Sequence, residues 1–285
     1  MDVNLVNVAF TVRDARGTLI TDLTKDDFEV FEDAAPQNIA FFARSADLPL
    51  SLGLVMDFSG SQEDFIREHN RDLKTFLDSV LGPRDRAFLL CFGNQLRLVS
   101  DFSQNGEELV DALRSFERGR RGFPRLGPPE ERHLGTAFYD AVYHSVVDKL
   151  AGTEGGRRAL LIFSDGEDNS SAHHMMDAVE AAQAADVPLF CIRYTQSEDG
   201  RLNARNKYGI RVLDRLARES GGAHFDAEKE NLRAHFRRIG EELHSSYELG
   251  YHSTNPIRDG TFRKIVIRAR QPGLNVRAKT GYFAQ

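Results

Sequence analysis

The middle of the chain alternates four short apolar runs with longer amphipathic segments. The runs LSLGLVM, RAFLLCF, RALLIF and VPLFCI lie at residues 50–56, 86–92, 158–163 and 187–192. Short, nearly continuous apolar runs are typical of strands buried on both faces of a parallel sheet. This alternation predicts an α/β fold with an open, mostly parallel, Rossmann-like sheet and crossover helices on both faces.

The segments between the runs share apolar residues at spacings of three and four, which is the period of an amphipathic helix. The predicted helices span 62–81, 105–116, 136–150, 173–185, 209–219 and 229–245.

The two ends of the chain instead alternate apolar and polar residues between turn residues. VNVAFTVRDARGTLI and FEVFEDAAPQNIAFFAR precede the α/β pattern, and YELGYHS, TFRKIVIRAR and LNVRAKTGYFA follow it. Each end is too small to be stable alone, so we expect both ends to form one small β-sandwich. The predicted sandwich parts are 1–48 and 246–285, and the predicted inserted domain is 49–245.

Net charge, the length of apolar runs and the positions of the cysteines limit the kinds of partner and site that we expect. A formal net charge of −6 argues mildly against nucleic acid as the main partner. The longest apolar run, LPLSLGLVM, is shorter than the roughly 18 residues of a membrane helix, so we expect no transmembrane segment. Cys91 and Cys191 lie inside apolar stretches and are expected to be buried free thiols. Oligomeric state does not follow from these data.

Polar residues follow two of the apolar runs directly. DFSGS follows the first run, SDG follows the third, and HLGTAF opens a predicted helix. Ligands of open α/β sheets bind in the crevice at the carboxyl ends of the strands. The residues expected to converge there are Asp57, Ser59, Ser61, Thr136 and Asp165. Hydroxyl and carboxylate oxygens suit a hard cation, so we expect Mg²⁺, or Mn²⁺ or Ca²⁺.

These three segments resemble the metal-ion-dependent adhesion site, or MIDAS, of von Willebrand factor type A (vWA) domains. The resemblance rests on DFSGS at 57–61, GT at 135–136 and SDG at 164–166, and it covers about two thirds of the chain. It implies that Ser59 and Ser61 ligate the metal directly, and that Thr136 does so directly or through water. Asp57 and Asp165 would lie behind them, holding waters or hydroxyls.

The flanking segments are similar to those of a bacterial, acidobacterial-type group of vWA-related proteins. Members of that group commonly carry export signals, which implies a secreted or periplasmic, extracytoplasmic setting. The start MDVNLVNVAF lacks the pattern of an export signal, and a mature chain would look the same, so the compartment stays open.

For several of these polar residues, a structural role is the alternative to metal binding. Asp57 and Ser59 could cap the next helix, although capping explains neither Thr136 nor Asp165. Asp168 and Asn169 are interpreted as turn residues rather than ligands. The pair His173–His174 is interpreted as a solvated helix start.

Neutral hydroxyl ligands leave most of the metal charge uncompensated, so a partner Asp or Glu carboxylate could complete the coordination. This favours a metal-dependent protein-interaction or adhesion module that is not an enzyme. The alternatives are a metal-dependent hydrolase of phosphoester type and a structural assembly subunit. Ser59 stands where a phosphoryl-transfer site would want a second acid, and no G-x-x-x-x-G-K-[ST] or G-x-S-x-G stretch is present.

The long Arg/Pro/Gly loop 117–133 precedes Thr136 and matches no known motif. RGRRGFPRLGPPEER contains five arginines against two glutamates. It is either a solvated, mobile loop or an arginine-rich edge of the metal site that favours an acidic partner.

Overall fold

The computed structural model describes residues 5–44, 48–128, 134–195, 202–227 and 232–284. Parts of the sequence predictions lie outside these residues. They are residues 1–4, 45–47 and 285 of the predicted sandwich, residues 196–201 and 228–231 of the predicted inserted domain, residues 129–133 of the arginine-rich loop, and the start of the predicted helix 229–245.

The chain contains fourteen described strands. In chain order they are β1 (Leu5–Arg13), β2 (Phe28–Glu32), β3 (Ala35–Gln37), β4 (Ile39–Arg44), β5 (Leu50–Asp57), β6 (Arg86–Phe92), β7 (Leu96–Ser103), β8 (Arg157–Ser164), β9 (Leu189–Arg193), β10 (His224–Asp226), β11 (Tyr247–His252), β12 (Phe262–Ala269), β13 (Asn275–Ala278) and β14 (Gly281–Phe283).

Six described α-helices accompany them: α1 (Ile66–Val80), α2 (Gly106–Glu117), α3 (Phe138–His144), α4 (Met175–Ala184), α5 (Ala204–Ser220) and α6 (Leu232–His244). Short 3₁₀ segments span Lys25–Asp27 and Gly60–Phe65, and a π-helical turn, Ser145–Leu150, extends α3. All six predicted helices are present. Helix α5 begins at Ala204 rather than at residue 209 because Asn203 caps it, accepting a hydrogen bond from the Asn206 amide.

The central sheet has six strands in the order β10-β9-β8-β5-β6-β7, and only the edge strand β7 is antiparallel to its neighbour. This confirms the predicted open, mostly parallel sheet. Strands β7 and β10 are additions to the four predicted runs. Strand β7 exposes part of its surface at the edge and β10 has three residues, so neither shows a continuous apolar run.

Helices cover both faces of this sheet. Helices α1, α2 and α6 pack on one face through residues such as Phe76, Leu109 and Phe236. Helices α3, α4 and α5 pack on the other through residues such as Phe138 and Val179. Cys91 and Cys191 are buried free thiols in these two opposite cores, as expected, and burial raises the pKa of both.

Both chain ends build two four-stranded antiparallel sheets, β13-β1-β11-β4 and β14-β12-β2-β3. The sheets share one core, in which the Phe10 ring packs edge-on against Phe28 at 5.0 Å and stacks on Tyr247 at 5.4 Å. The N-terminal and C-terminal segments therefore complete one β-sandwich. The domain boundaries after residues 48 and 245 stay a prediction.

The sandwich contacts the α/β part at the amino-terminal ends of the parallel strands. The Thr280 amide donates to the Glu219 carbonyl near the end of α5 at 3.1 Å, and the Lys279 ammonium donates to the Gln183 carbonyl near the end of α4 at 2.9 Å. These contacts lie at the opposite end of the sheet from Asp57, as the strand directions lead us to expect. Among the described residues, no helix is both long and apolar enough to cross a membrane.

Candidate metal centre

The predicted site lies where the strand order of the central sheet reverses. Strands β5 and β8 are adjacent and parallel, but the chain leaves β5 toward one edge of the sheet and β8 toward the other. Such a switch point opens a crevice at the carboxyl ends of the two strands. Asp57 ends β5 and Asp165 directly follows β8, so the topology delivers both carboxylates to this crevice.

A short chain of hydrogen bonds connects three predicted ligands. The Ser59 and Ser61 hydroxyl oxygens lie 3.1 Å apart, and the Ser61 hydroxyl donates to Asp165 Oδ2 at 2.6 Å. The side-chain amide of Gln62 donates to the same carboxylate oxygen at 3.1 Å and to the Tyr194 carbonyl. The structure thus brings Ser59, Ser61 and Asp165 together.

Asp57 contacts this group through the backbone of Ser59. Its carboxylate is fully buried, accepts from the Ser59 amide at 2.9 Å, and accepts from the Ser164 hydroxyl at 2.6 Å. Burial, followed by the nearby negative charge of Asp165, raises the pKa of Asp57 to about 7. A cation in the crevice would stabilise the ionised form of Asp57.

Backbone hydrogen bonds hold the segment around Thr136 at the same end of the sheet. Its amide donates to Asn169 Oδ1 at 2.7 Å, and the following amide, of Ala137, donates to the Gly93 carbonyl at 2.8 Å. A Cβ atom on Gly93 would lie 3.4 Å from the Phe58 carbonyl, so this loop also adjoins DFSGS. Within the described residues, the Thr136 hydroxyl makes no hydrogen bond to the other four site residues.

Helix α5 lies unusually close to the SDG loop. A Cβ atom on Gly209 would be 2.1 Å from the Asp165 carbonyl oxygen, and one on Gly166 would be 2.6 Å from the Gly209 carbonyl oxygen. Gly166 also has φ +80°, which favours glycine. Sequence reasoning missed Gly209, although an isolated glycine inside a helical pattern signals a packing reason.

Asp168 and Asn169, interpreted from the sequence as local turn residues, hold backbone amides of a distant segment. Asp168 Oδ1 accepts from the Phe138 amide at 2.8 Å and from the Tyr139 amide at 3.2 Å, so it caps α3 from a different loop. Asn169 holds the Thr136 amide. No local sequence signal reveals a cap that comes from a distant segment.

The expectation for the two histidines holds for one of them. His174 is exposed and precedes α4, with its amide donating to Asp177. His173 differs from the prediction of a solvated side chain. Its Nδ1 lies 2.7 Å from Asp140 Oδ1, and its ring stacks on Tyr143 at 3.8 Å. Helix α3 places Asp140 and Tyr143 three residues apart on one face, which the local sequence around His173 does not reveal.

Replacing Asp168 by alanine should lower the free energy of unfolding by about 1–2 kcal/mol, because two amides at the start of α3 lose their acceptor. Urea denaturation followed by circular dichroism measures this change. Wild-type stability for Asp168→Ala would refute the capping role.

The donor set fits Mg²⁺ in both chemistry and spacing. Neighbouring oxygens of an octahedral Mg²⁺ site with bonds near 2.1 Å lie about 3 Å apart. The hydroxyl–hydroxyl and hydroxyl–carboxylate separations of 3.1 and 2.6 Å are close to that value. Across the described residues, no group of three or more His, Cys, Asp or Glu side chains is arranged to hold a metal ion. A site built mainly from hydroxyls is compatible with that observation.

Comparison with solved structures identifies the architecture. A protein from Catenulispora acidiphila described as von Willebrand factor type A aligns with 100% of this chain at 11% identity and a TM-score of 0.51. The chain has a von Willebrand factor type A-like fold. That alignment also includes the antiparallel sheets, and this chain covers 64% of the Catenulispora protein.

Two Bacteroides structures align with about two thirds of this chain. The conserved hypothetical protein BatB from Bacteroides thetaiotaomicron has 17% identity and a TM-score of 0.50, over 68% of this chain and 98% of that one. An aerotolerance-related membrane protein from Bacteroides fragilis has 14% identity and a TM-score of 0.51, with the same two coverages. No protein-family model and no curated protein matches the sequence. These likenesses establish the fold alone.

Proposed function

We propose that this protein is a non-catalytic, metal-dependent interaction module that binds an acidic group of a partner protein. In this proposal Ser59 and Ser61 ligate Mg²⁺, or Mn²⁺ or Ca²⁺, and Thr136 does so directly or through water. Asp57 and Asp165 hold the hydroxyls and metal-bound waters from behind. The supporting observation is the hydrogen-bonded group of Ser59, Ser61 and Asp165 in the crevice at the end of the sheet.

The charge balance favours an anionic partner. Two neutral hydroxyls leave much of a divalent charge uncompensated, so an Asp or Glu side chain of the partner would provide a strong further ligand. Because that bond forms only when the partner docks, affinity should depend on the metal. An extracytoplasmic location fits such a module and is proposed from the sequence resemblance only.

Replacing Ser59 by alanine should weaken Mg²⁺ and Mn²⁺ binding by at least about tenfold, because the site loses one direct ligand. Titration calorimetry of the wild type and Ser59→Ala measures this, with circular dichroism to compare folding. Equal metal affinity of Ser59→Ala and wild type would refute the site.

The hydrolase alternative predicts turnover rather than binding alone. Assays on phosphoester substrates with Mg²⁺ and Mn²⁺ should show no activity that depends on Ser59 or Asp165. Metal-dependent turnover abolished by Asp165→Asn would replace the interaction proposal with an enzymatic one.

A further inference from the structure

An arginine-rich surface lies at the same end of the sheet as the candidate metal centre. We define the arginine rim as Arg97, Arg118, Arg120, Arg121 and Arg125. Arg97 belongs to β7, and the other four belong to the described part of the arginine-rich loop. These four are exposed, although the whole chain has a net negative charge.

Aromatic packing fixes the first half of the rim beside DFSGS. The Phe58 ring contacts Phe116 edge-on at 5.1 Å, and Phe116 contacts Phe123 at 5.7 Å. Arg118, Arg120 and Arg121 lie between these two aromatic residues in sequence. The segment that carries these arginines therefore starts directly after helix α2, whose Phe116 ring contacts Phe58, the residue that directly precedes Ser59.

Backbone hydrogen bonds fix the second half along the edge of the sheet. The Leu98 amide donates to the Pro124 carbonyl at 2.9 Å, and the Leu126 amide donates to the Leu96 carbonyl at 3.3 Å. Asp57 pairs with Phe92, and Phe92 pairs with Leu96. At about 4.8 Å per strand, Leu126 lies about 14 Å across the sheet from Asp57. Residues 124–126 thus pair with β7 through an antiparallel bridge between Arg97 and Arg125.

The rim carries five positive charges, and the adjacent Glu117 carboxylate interacts electrostatically with Arg118. Among the residues that the structure describes, Arg118, Arg120, Arg121 and Arg125 form no ion pair. Arg97 donates instead to the Phe123 carbonyl at 3.3 Å and to the Gln95 side chain. Burial, and then the adjacent charge of Arg125, lowers the pKa of Arg97. An acidic partner would relieve this repulsion.

Apolar side chains border the crevice as well. Leu134 is 87% exposed and precedes Gly135, where a Cβ atom would be 2.6 Å from the Asn169 side chain. Tyr208 of α5 is 57% exposed and directly precedes Gly209, which contacts the SDG loop. Exposed aromatic and aliphatic groups beside arginines are typical of protein-binding surfaces, whereas sulfated sugars offer them little apolar contact.

We infer that the arginine rim is a second contact zone, which docks an acidic polypeptide segment containing apolar residues next to the metal-bound carboxylate. This inference rests on the proposed function for the assignment of the binding face. Exposed arginines mainly accelerate association and act together, so single substitutions change affinity little. The partner is thereby specified as a polypeptide with several carboxylates, not one isolated acidic residue.

A fluorescein-labelled peptide of Glu-Glu-Leu repeats is a direct probe, read by fluorescence anisotropy. The test variant is Arg118→Ser, Arg120→Ser, Arg121→Ser and Arg125→Ser combined. The control combines Arg16→Ser, Arg258→Ser, Arg268→Ser and Arg270→Ser on the sandwich, which makes the same change in net charge. Circular dichroism verifies that both variants are folded.

In EDTA and about 20 mM salt, we expect the rim variant to bind the peptide about tenfold more weakly and the control to bind within about twofold of wild type. At high salt, the difference in peptide affinity between the rim variant and the control should vanish. Equal affinity of the rim and control variants would overturn the inference. So would displacement of the peptide by a heparin oligosaccharide at lower concentration than by unlabelled peptide, because the partner would then be a polysaccharide.

A separate arm with Mg²⁺ distinguishes the two proposals. Ser59→Ala should retain the EDTA affinity and lose the increase that Mg²⁺ gives the wild type. A rim effect in EDTA without any increase on adding Mg²⁺ would support the arginine rim and refute the proposed metal-dependent function.

Discussion

Replacing Glu242 by glutamine is expected to lower the free energy of unfolding by about 3 kcal/mol or more. The Glu242 carboxylate is fully buried on α6 and pairs with Arg13 of β1 at 2.5 Å and with Arg277 of β13. Arg238 lies 3.6 Å away on the same helix. Glutamine keeps the shape but removes the charge, so the partly buried guanidinium groups of Arg13 and Arg277 lose their counter-ion.

This cluster also joins the α/β part to the sandwich, since α6 belongs to one and the two strands belong to the other. Burial, and then the neighbouring charges of Arg13 and Arg238, lowers the pKa of Arg277 to about 10. Urea denaturation followed by far-ultraviolet circular dichroism measures the loss of stability.

Glu241→Gln is a matched control for this prediction. Glu241 is the adjacent residue, its side chain is half-exposed, and its carboxylate lies 3.8 Å from Arg237. Removing such a surface charge should change stability by no more than about 0.5 kcal/mol. If Glu242→Gln costs no more than Glu241→Gln, the cluster does not stabilise the junction.

Replacing Gly209 by alanine should lower both stability and metal affinity. Alanine normally stabilises a helix interior by about 1 kcal/mol relative to glycine. Here its Cβ atom would lie 2.1 Å from the Asp165 carbonyl oxygen, so either α5 or the SDG loop must move. We expect a loss of about 1–3 kcal/mol from overpacking. Displacement of Asp165 should weaken Mg²⁺ binding by about tenfold or more.

Gly240→Ala provides the comparison within another helix. A Cβ atom on Gly240 would meet the end of the Val80 side chain at 3.1 Å, and a side chain can shift more easily than a backbone carbonyl. Its stability should stay within about 1 kcal/mol of wild type, and its metal affinity should be unchanged. Wild-type metal affinity in Gly209→Ala would show that α5 does not position the SDG loop.

The local sequence was sufficient to predict most of the α/β architecture. The runs at 50–56, 86–92, 158–163 and 187–192 are strands β5, β6, β8 and β9, because strands buried on both faces must be apolar throughout. The polar residues that follow two of these runs lie close together because parallel strands bring their carboxyl ends to one edge of the sheet. Asp57, Ser59, Ser61 and Asp165 form one hydrogen-bonded group that does not include the Thr136 hydroxyl among the described residues, and the metal-binding role of all five stays a prediction.

Contacts between distant segments were decided only by the tertiary structure. Strand β7 and residues 124–126 pair at the sheet edge, where side chains face solvent and no apolar run marks a strand. Asp168 caps α3 from another loop. The absence of a side chain at Gly209 lets the backbone of the SDG loop pack directly against α5. Periodicity and residue type describe how a segment meets water or a core. They do not encode which remote backbone group approaches it, because that depends on how the helices and strands pack together.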